Sequence, residues 1–396
     1  PRFRVPPEYI LAGECTKIII ATLDGLFGGK PVAFDFETSG LDPLAEGSYI
    51  RSIGLANADN CLAVDLANAS PEMLQDLLKW LETQQLIAHN MNFDAGWIYK
   101  YTGRAPNMHC CTAGLFKQLS TEGWAGQTWG LKTAMTEILG WPDQNDTDLV
   151  DWLKENKLKK ADMSKAPWEI IGPYNALDAG ATFQFYEEMM RICGRHKWGQ
   201  DLMDYHQHDF INEISLLVES QFAGLKIDMD KLEDLDLSLE RKTDLLHENF
   251  MADESTGEYV KKRIEDIRDD IRAKEPPKFL KDGKTLAKRW IKWDEKVRGP
   301  IPNPFNIDSA PQLADFFYNE LDFDVQALTP KGEPSVNKMC LPHLGPLGAI
   351  LIKYRKLRDQ RKFVTSLTNC QINGRLHPRM KIPGTLTGRL AGGVET

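Results

Sequence analysis

The stretch PVAFDFETSG, residues 31–40, decides the fold. Val32, Ala33, Phe34 and Phe36 make it read as a buried strand, yet Asp35 and Glu37 sit inside it. Side chains alternate faces along a strand, so the two acids share one face while Phe34 and Phe36 take the other. Two carboxylates buried together cost several kcal/mol or take up protons unless something positive lies between them. A hard divalent cation suits carboxylate oxygens best. For one D-x-E alone, the alternative is a strand end where both acids reach water.

Outward from this strand, IRSIGLANA and CLAVDL are further short apolar runs, and the connections LDPLAEGSY and DN are turn-like. Three neighbouring strands so joined form an antiparallel meander. SPEMLQDLLKWLET then has a Ser70 cap and helical periodicity, and LIAHN returns as a strand, which makes a mixed α/β layer. From about residue 173 the pattern turns helical, in PYNALDAGATFQFYEEMMRICGRH and DYHQHDFINEISLLVESQFAG. Residues 230–300 are dense in charge and predict long exposed helices broken by a loop.

A chain of 396 residues, 42% hydrophobic and 27% charged, calls for at least two cores. No apolar run approaches the roughly 18 residues of a membrane span, and the N-terminal stretch lacks a signal-peptide layout. The seven cysteines are scattered without metal-site spacing and read as reduced thiols of a cytosolic protein. A net charge of −9 argues against a nucleic-acid binder, because phosphate contact needs Lys and Arg, and only the distribution of charge decides the point.

Two further places supply company for Asp35 and Glu37. In IAHNMNFDAGWI, Asp94 follows an apolar strand at the start of a helix. In PYNALDAGATFQFY, Tyr174 and Asp178 stand four residues apart and so share a helix face. Either feature alone is ordinary.

Together and in this order they resemble the DEDD exonucleases, in the subclass with tyrosine in the third motif: FDFETSGLD, HNMNFD and YNALD, over residues 31 to about 190. The resemblance implies a ribonuclease-H-like α/β domain with a mixed sheet and flanking helices. It also implies two divalent ions, Mg²⁺ or Mn²⁺, ligated by Asp35, Glu37, Asp94 and Asp178. Tyr174 would orient the attacking water; with an ordinary tyrosine pKa near 10 it suits hydrogen bonding better than proton abstraction, which leaves the ions to generate the nucleophile. Leu41 matches a position that packs against the terminal base, and His89 and Asn90 match positions near the terminal nucleotide.

The second half resembles family A DNA polymerases. LLVESQFAGLKID, FNIDSAPQLADFFYNEL and LIKYRKLRDQRKFVTSL are similar to segments around their thumb, and GRLHPRMKIPGTLTGRL to the opening of their palm, with Thr387, Gly388 and Arg389. Arg389 is implied to lie near a primer terminus. The stretch RAKEPPKFLKDGKTLAKRWIKWDEKVRG, with Lys288 and Arg289 beside Trp290 and Trp293, suits a thumb tip gripping a duplex backbone. The chain ends just past the TGR motif, so polymerisation is expected to need palm and fingers that this sequence lacks.

The expected organisation is an exonuclease domain over 1–190 and a mainly helical thumb with the beginning of a palm over 191–396. The expected function is metal-dependent proofreading: 3′-5′ hydrolysis of single-stranded DNA ends, with a primer–template duplex at the thumb and no membrane partner. The alternatives are a ribonuclease D-like exoribonuclease, and a non-catalytic DNA-binding piece that completes a split polymerase.

Overall fold

The computed structural model describes residues 8–119, 130–142, 147–280, 284–382 and 389–393. These fall into two compact units, one within Pro1–Lys226 and Arg375–Glu395, the other Ile227–Gly374. In the first unit, β1 (Ile10–Glu14) and α1 (Lys17–Phe27) lead into β2 (Pro31–Thr38), β3 (Ile50–Ala56) and β4 (Cys61–Asp65). Next come α2 (Pro71–Glu82), β5 (Gln85–Ala88), α3 (Met91–Thr102), β6 (Met108–Cys111) and α4 (Thr112–Leu119). The six strands form one sheet in the order β1-β4-β3-β2-β5-β6. β2, β3 and β4 are the expected antiparallel meander, and β5 and β6 continue parallel to β2. Parallel pairing requires crossovers, which α2 and α3 provide. Ser70 caps α2 by accepting from the Met73 N–H, and Pro71 occupies the first turn, where a missing N–H costs nothing.

The chain continues through α5 (Leu131–Thr133), α6 (Thr147–Glu155), the long α7 (Trp168–Cys193), α8 (Gly199–Tyr205) and α9 (Ile211–Ala223) to β7 (Leu225–Lys226). The alternation along β2 separates two cores. Val32, Phe34 and Phe36 join one with Trp97, Ile53 and Leu78; Ala33 joins the other, with Ala176, Ala179 and Phe185. Burying each of the two Phe rings stabilises by about 1.5–3 kcal/mol, which helps offset the acids on the opposite face. That opposite face is the one α7 covers. Ala176, Ala179, Gly180 and Ala181 keep the helix slim there, and Gly54, paired with Asp35 in the sheet, meets it backbone to backbone. A Cβ on Gly54 would lie 2.3 Å from the Asn175 carbonyl oxygen, so only glycine allows this approach.

The second unit is helical, as expected: α10 (Met229–Met251), α11 (Glu254–Arg272), α12 (Lys288–Arg298), α13 (Ala310–Ala314) and α14 (Gly345–Cys370). Its core is an aromatic cluster of Phe250, Tyr259, Phe305, Phe316 and Phe317. Arg361 on α14 ties back to Asp236 and Glu240 on α10. Trp293 donates to the Ile271 carbonyl (2.6 Å) and Trp290 to Glu275 (3.0 Å). Part of the tryptophan content of the basic stretch thus clasps α11 to α12.

The chain then returns to the first unit as β8 (Arg375–Leu376), β9 (Arg379–Lys381) and β10 (Ala391–Gly393). β8 pairs antiparallel with β7, and Ile382 enters the core that holds Phe34 and Trp97. The first compact unit thus runs past residue 190 to Lys226 and takes back Arg375–Glu395. Ile211, Ile214 and Val218 of α9 are buried in that same core, which carries the first unit on to Lys226. No described helix is long and apolar enough to cross a membrane.

Candidate active site

The acids expected from the sequence converge where α7 lies across β2. Asp35 and Glu37 project from the strand, and Asp178 comes down from the helix. Their carboxylate oxygens lie within 4.8 Å of one another. Asp94, in the first turn of α3, is buried beside them but outside this triplet, with Oδ1 accepting the Phe36 N–H at 3.2 Å. Tyr174 lies one helical turn before Asp178.

Desolvation and mutual repulsion govern the electrostatics. Burial first, then the charges of Glu37, Asp94 and Asp178, push the Asp35 carboxyl well above its ordinary range. Burial, Asp178 and Asp94 do the same to Glu37. Burial lifts Asp94 to about 8, against the pull of the Phe36 N–H. Such a group is stable as anions only around cations. The donor set, all carboxylate oxygen, fits a hard divalent metal held by Asp35, Glu37 and Asp178, with Asp94 within the same field.

Two residues not singled out in the sequence complete the constellation. Lys132, on α5, donates from Nζ to Asp178 Oδ1 at 2.7 Å and lies 4.5 Å from the Tyr174 ring centroid. Its charge lowers the proton affinity of both Asp35 and Glu37. Asn175, fully buried, donates to the Asp35 carbonyl (3.0 Å) and to Asp35 Oδ2 (2.9 Å), while its own Oδ1 accepts from Ser52 (2.8 Å). It fixes the carboxylate's direction. Its place inside YNALD, next to Tyr174, was the available signal; for Lys132 no local pattern existed.

Leu41, His89 and Asn90 line a cavity of about 530 Å³ together with Asn92, Phe93 and Arg379, whose charge reaches Asp94. Leu41 is 59% exposed, as several other leucines of the chain are, and is available for contact with a base. His89 Nδ1 is hydrogen-bonded to Thr112 Oγ1 at 2.9 Å. Asn90 holds a left-handed backbone (φ 64°, ψ 48°) at the cap of α3, a strained conformation of the kind that concentrates at functional sites. Of the polymerase-like residues, Lys288 and Arg289 are exposed in the first turn of α12, in the second unit, and Arg389 is exposed in the first. Thr387 and Gly388 lie outside the described residues.

Comparison with known proteins agrees with this geometry. A family model described as 3′-5′ exonuclease matches residues 17–193, and one described as DNA polymerase family A matches 278–393. A DNA polymerase of Bacillus phage SP01 is 23% identical, over 87% of this chain and 37% of its own length. DNA polymerase I of Chloroflexus aurantiacus is 23% identical, over 98% of this chain and 36% of its own. The chain thus spans little more than a third of the curated relatives it matches. Among solved structures, the POL domain of Pol1 from M. smegmatis, in complex with DNA primer-template and dNTP, shares the fold with a TM-score of 0.61 and 15% identity, covering 97% of this chain and 55% of that one. The chain carries a 3′-5′ exonuclease domain over residues 17–193, followed over 278–393 by a fragment that matches the family A DNA polymerases.

Proposed function

We propose that the first unit is a proofreading nuclease that removes nucleotides one at a time from single-stranded DNA 3′ ends. Asp35, Glu37, Asp94 and Asp178 are the metal ligands, and Leu41, His89 and Asn90 receive the terminal nucleotide. The observation that carries this reading is the convergence within 4.8 Å of three carboxylates, Glu37 and Asp178 buried and Asp35 partly so, together with a cavity of nucleotide dimensions lined by Asn92 and Phe93, which precede Asp94 in the chain. When bound, divalent ions would supply an activated water and charge neutralisation at the phosphodiester. Tyr174, as a phenol, orients the water by hydrogen bonding. Lys132 moves its ammonium from Asp178 toward a non-bridging phosphate oxygen, where fixed positive charge favours the more anionic transition state. Asn175 keeps the Asp35 carboxylate aimed at the site throughout.

The second unit is the thumb of this proposal. Lys288 and Arg289 sit at a helix N-terminus, where like charge is locally unfavourable and an anion is favoured, a placement that suits a duplex phosphate backbone. The division of labour has a direct test. Asp178→Ala is expected to lower turnover more than about 100-fold, since it removes a proposed metal ligand rather than a supporting residue. DNA affinity should stay within about threefold, measured by anisotropy with labelled primer–template. Loss of both together would contradict it.

A further inference from the structure

The cavity lined by Leu41, His89 and Asn90 has a wall that comes from far along the chain. Leu41 and Phe93 lie within the exonuclease match, whereas Arg379 and Met380 lie within the polymerase match. Strand β9, which carries both, is held from several sides. Just before it, Arg375 of β8 donates to the carbonyls of Ala223 (2.7 Å) and Gly224 (3.0 Å), and on β9 itself the Met380 carbonyl accepts from Asn92 Nδ2 at 2.9 Å. Arg379 itself donates from Nη1 to the Leu41 carbonyl at 2.7 Å, with its guanidinium 5.4 Å from the Phe93 ring centroid. Asn92 Oδ1, also at this wall, is buried with no partner among the described residues.

We propose that Arg379 is a positioning residue of the exonuclease site: it clamps the exposed Leu41 loop so that Leu41 meets the terminal base of a single-stranded end. The segment similar to the polymerase palm thereby forms part of the nuclease's specificity pocket. A planar guanidinium suits this task, since it can donate to a backbone carbonyl and lie over an aromatic face in one fixed geometry. A lysine would keep the charge but only part of the geometry. The mobile alternative, a loop ordered only by the incoming base, would place the ordering cost on binding.

This inference rests on the exonuclease reading. The test uses single-stranded DNA with 2-aminopurine as its 3′-terminal base, and follows its fluorescence on binding in EDTA, where nothing is cleaved. The proteins are the full chain, Arg379→Ala, Arg379→Lys, Leu41→Ala and the Arg379→Ala/Leu41→Ala pair. Arg379→Ala and Leu41→Ala should each weaken the terminal-base signal about tenfold, the double variant should be no worse than either, and Arg379→Lys should fall between. With divalent metal, Arg379→Ala should raise KM about tenfold and leave kcat within twofold. Additive losses in the double variant, an unchanged signal in Arg379→Ala, or a fall in kcat at constant KM would overturn the proposal. A wild-type chain that binds the probe but degrades neither DNA nor RNA with divalent metal would overturn the exonuclease reading instead.

Discussion

Lys132 Nζ lies 2.7 Å from Asp178 Oδ1 and is the cation whose charge reaches both Asp35 and Glu37. The lysine side chain is 38% exposed and the aspartate 10%, so the pair sits at the mouth of the acid cluster rather than in its floor. In the proposed nuclease, that location would let one ammonium serve two partners, the carboxylate before substrate arrives and a phosphate afterwards.

Lys132→Met should therefore lower kcat on single-stranded DNA about 10- to 100-fold, in the range observed when one fixed electrostatic donor is removed from a transition state. Lys132→Arg should recover part of it. Steady-state kinetics on a 5′-labelled oligonucleotide decide the point; an unchanged kcat in Lys132→Met would assign the lysine to apo-state charge balance alone.

Asn175 acts on the cluster from behind. Removing a buried amide that bridges Asp35 and Ser52 leaves both without their partner, at about 1–3 kcal/mol. Asn175→Ala is expected to lower the unfolding midpoint and to weaken Mn²⁺ binding about 10-fold, since outer-shell partners that orient a ligand are worth that much. Calorimetric titration with Mn²⁺ checks the second effect, and wild-type affinity in the variant would show that Asp35 needs no such support.

Divalent metal should stabilise the fold as well as serve the chemistry. Addition of Mg²⁺ or Mn²⁺ to EDTA-treated protein is expected to raise the unfolding midpoint by several degrees, because a cation bound only by the native state relieves repulsion among buried carboxylates. Asp35→Ala should lose most of that increment. A midpoint that ignores metal in the wild-type chain would argue that the carboxylates bind none.

A separate group gives the fold its sensitivity to acid. His206 is fully buried, with Nε2 accepting the Cys111 N–H at 3.1 Å and Nδ1 facing Gln118 Oε1 at 3.0 Å, which fixes a neutral ring protonated on Nδ1. Burial, with a smaller push from His109, depresses its pKa to about 3. The unfolded chain, with histidine near 6.5, takes up the proton first. The contribution of neutral His206 is thus complete above about pH 6.5 and is lost as pH falls toward 3. Unfolding midpoints should drop more steeply between pH 7 and pH 5 in the wild type than in His206→Gln; parallel slopes would locate the acid sensitivity elsewhere.

What could be read from the sequence follows from periodicity. Asp35 and Glu37 are two apart on a strand and Tyr174 and Asp178 four apart on a helix, so local geometry alone puts each pair on one face. Four of the six strands, β2 to β5, were legible as a meander followed by a returning strand; β1 and β6 are short and were not read from the sequence. Lys132 and Arg379 were not legible as site residues: each reaches the site through tertiary placement, Arg379 from 338 positions away from Leu41. The same holds for the unit boundary. The apolar stripe of α9 could have faced any core, and only packing shows that it shares the one behind Phe34.

The most direct test of the central claim is degradation of 5′-labelled single-stranded DNA, beside the same polymer as RNA, with Mg²⁺ or EDTA, by the full chain and by Asp35→Ala and Glu37→Ala. The expected result is a ladder that shortens from the 3′ end of DNA, requires the metal and disappears in both variants. A ladder of equal strength in either variant, or no cleavage by the wild type with Mg²⁺ or Mn²⁺, would contradict the assignment of these carboxylates to a nuclease; a ladder confined to RNA would keep the chemistry and overturn the substrate.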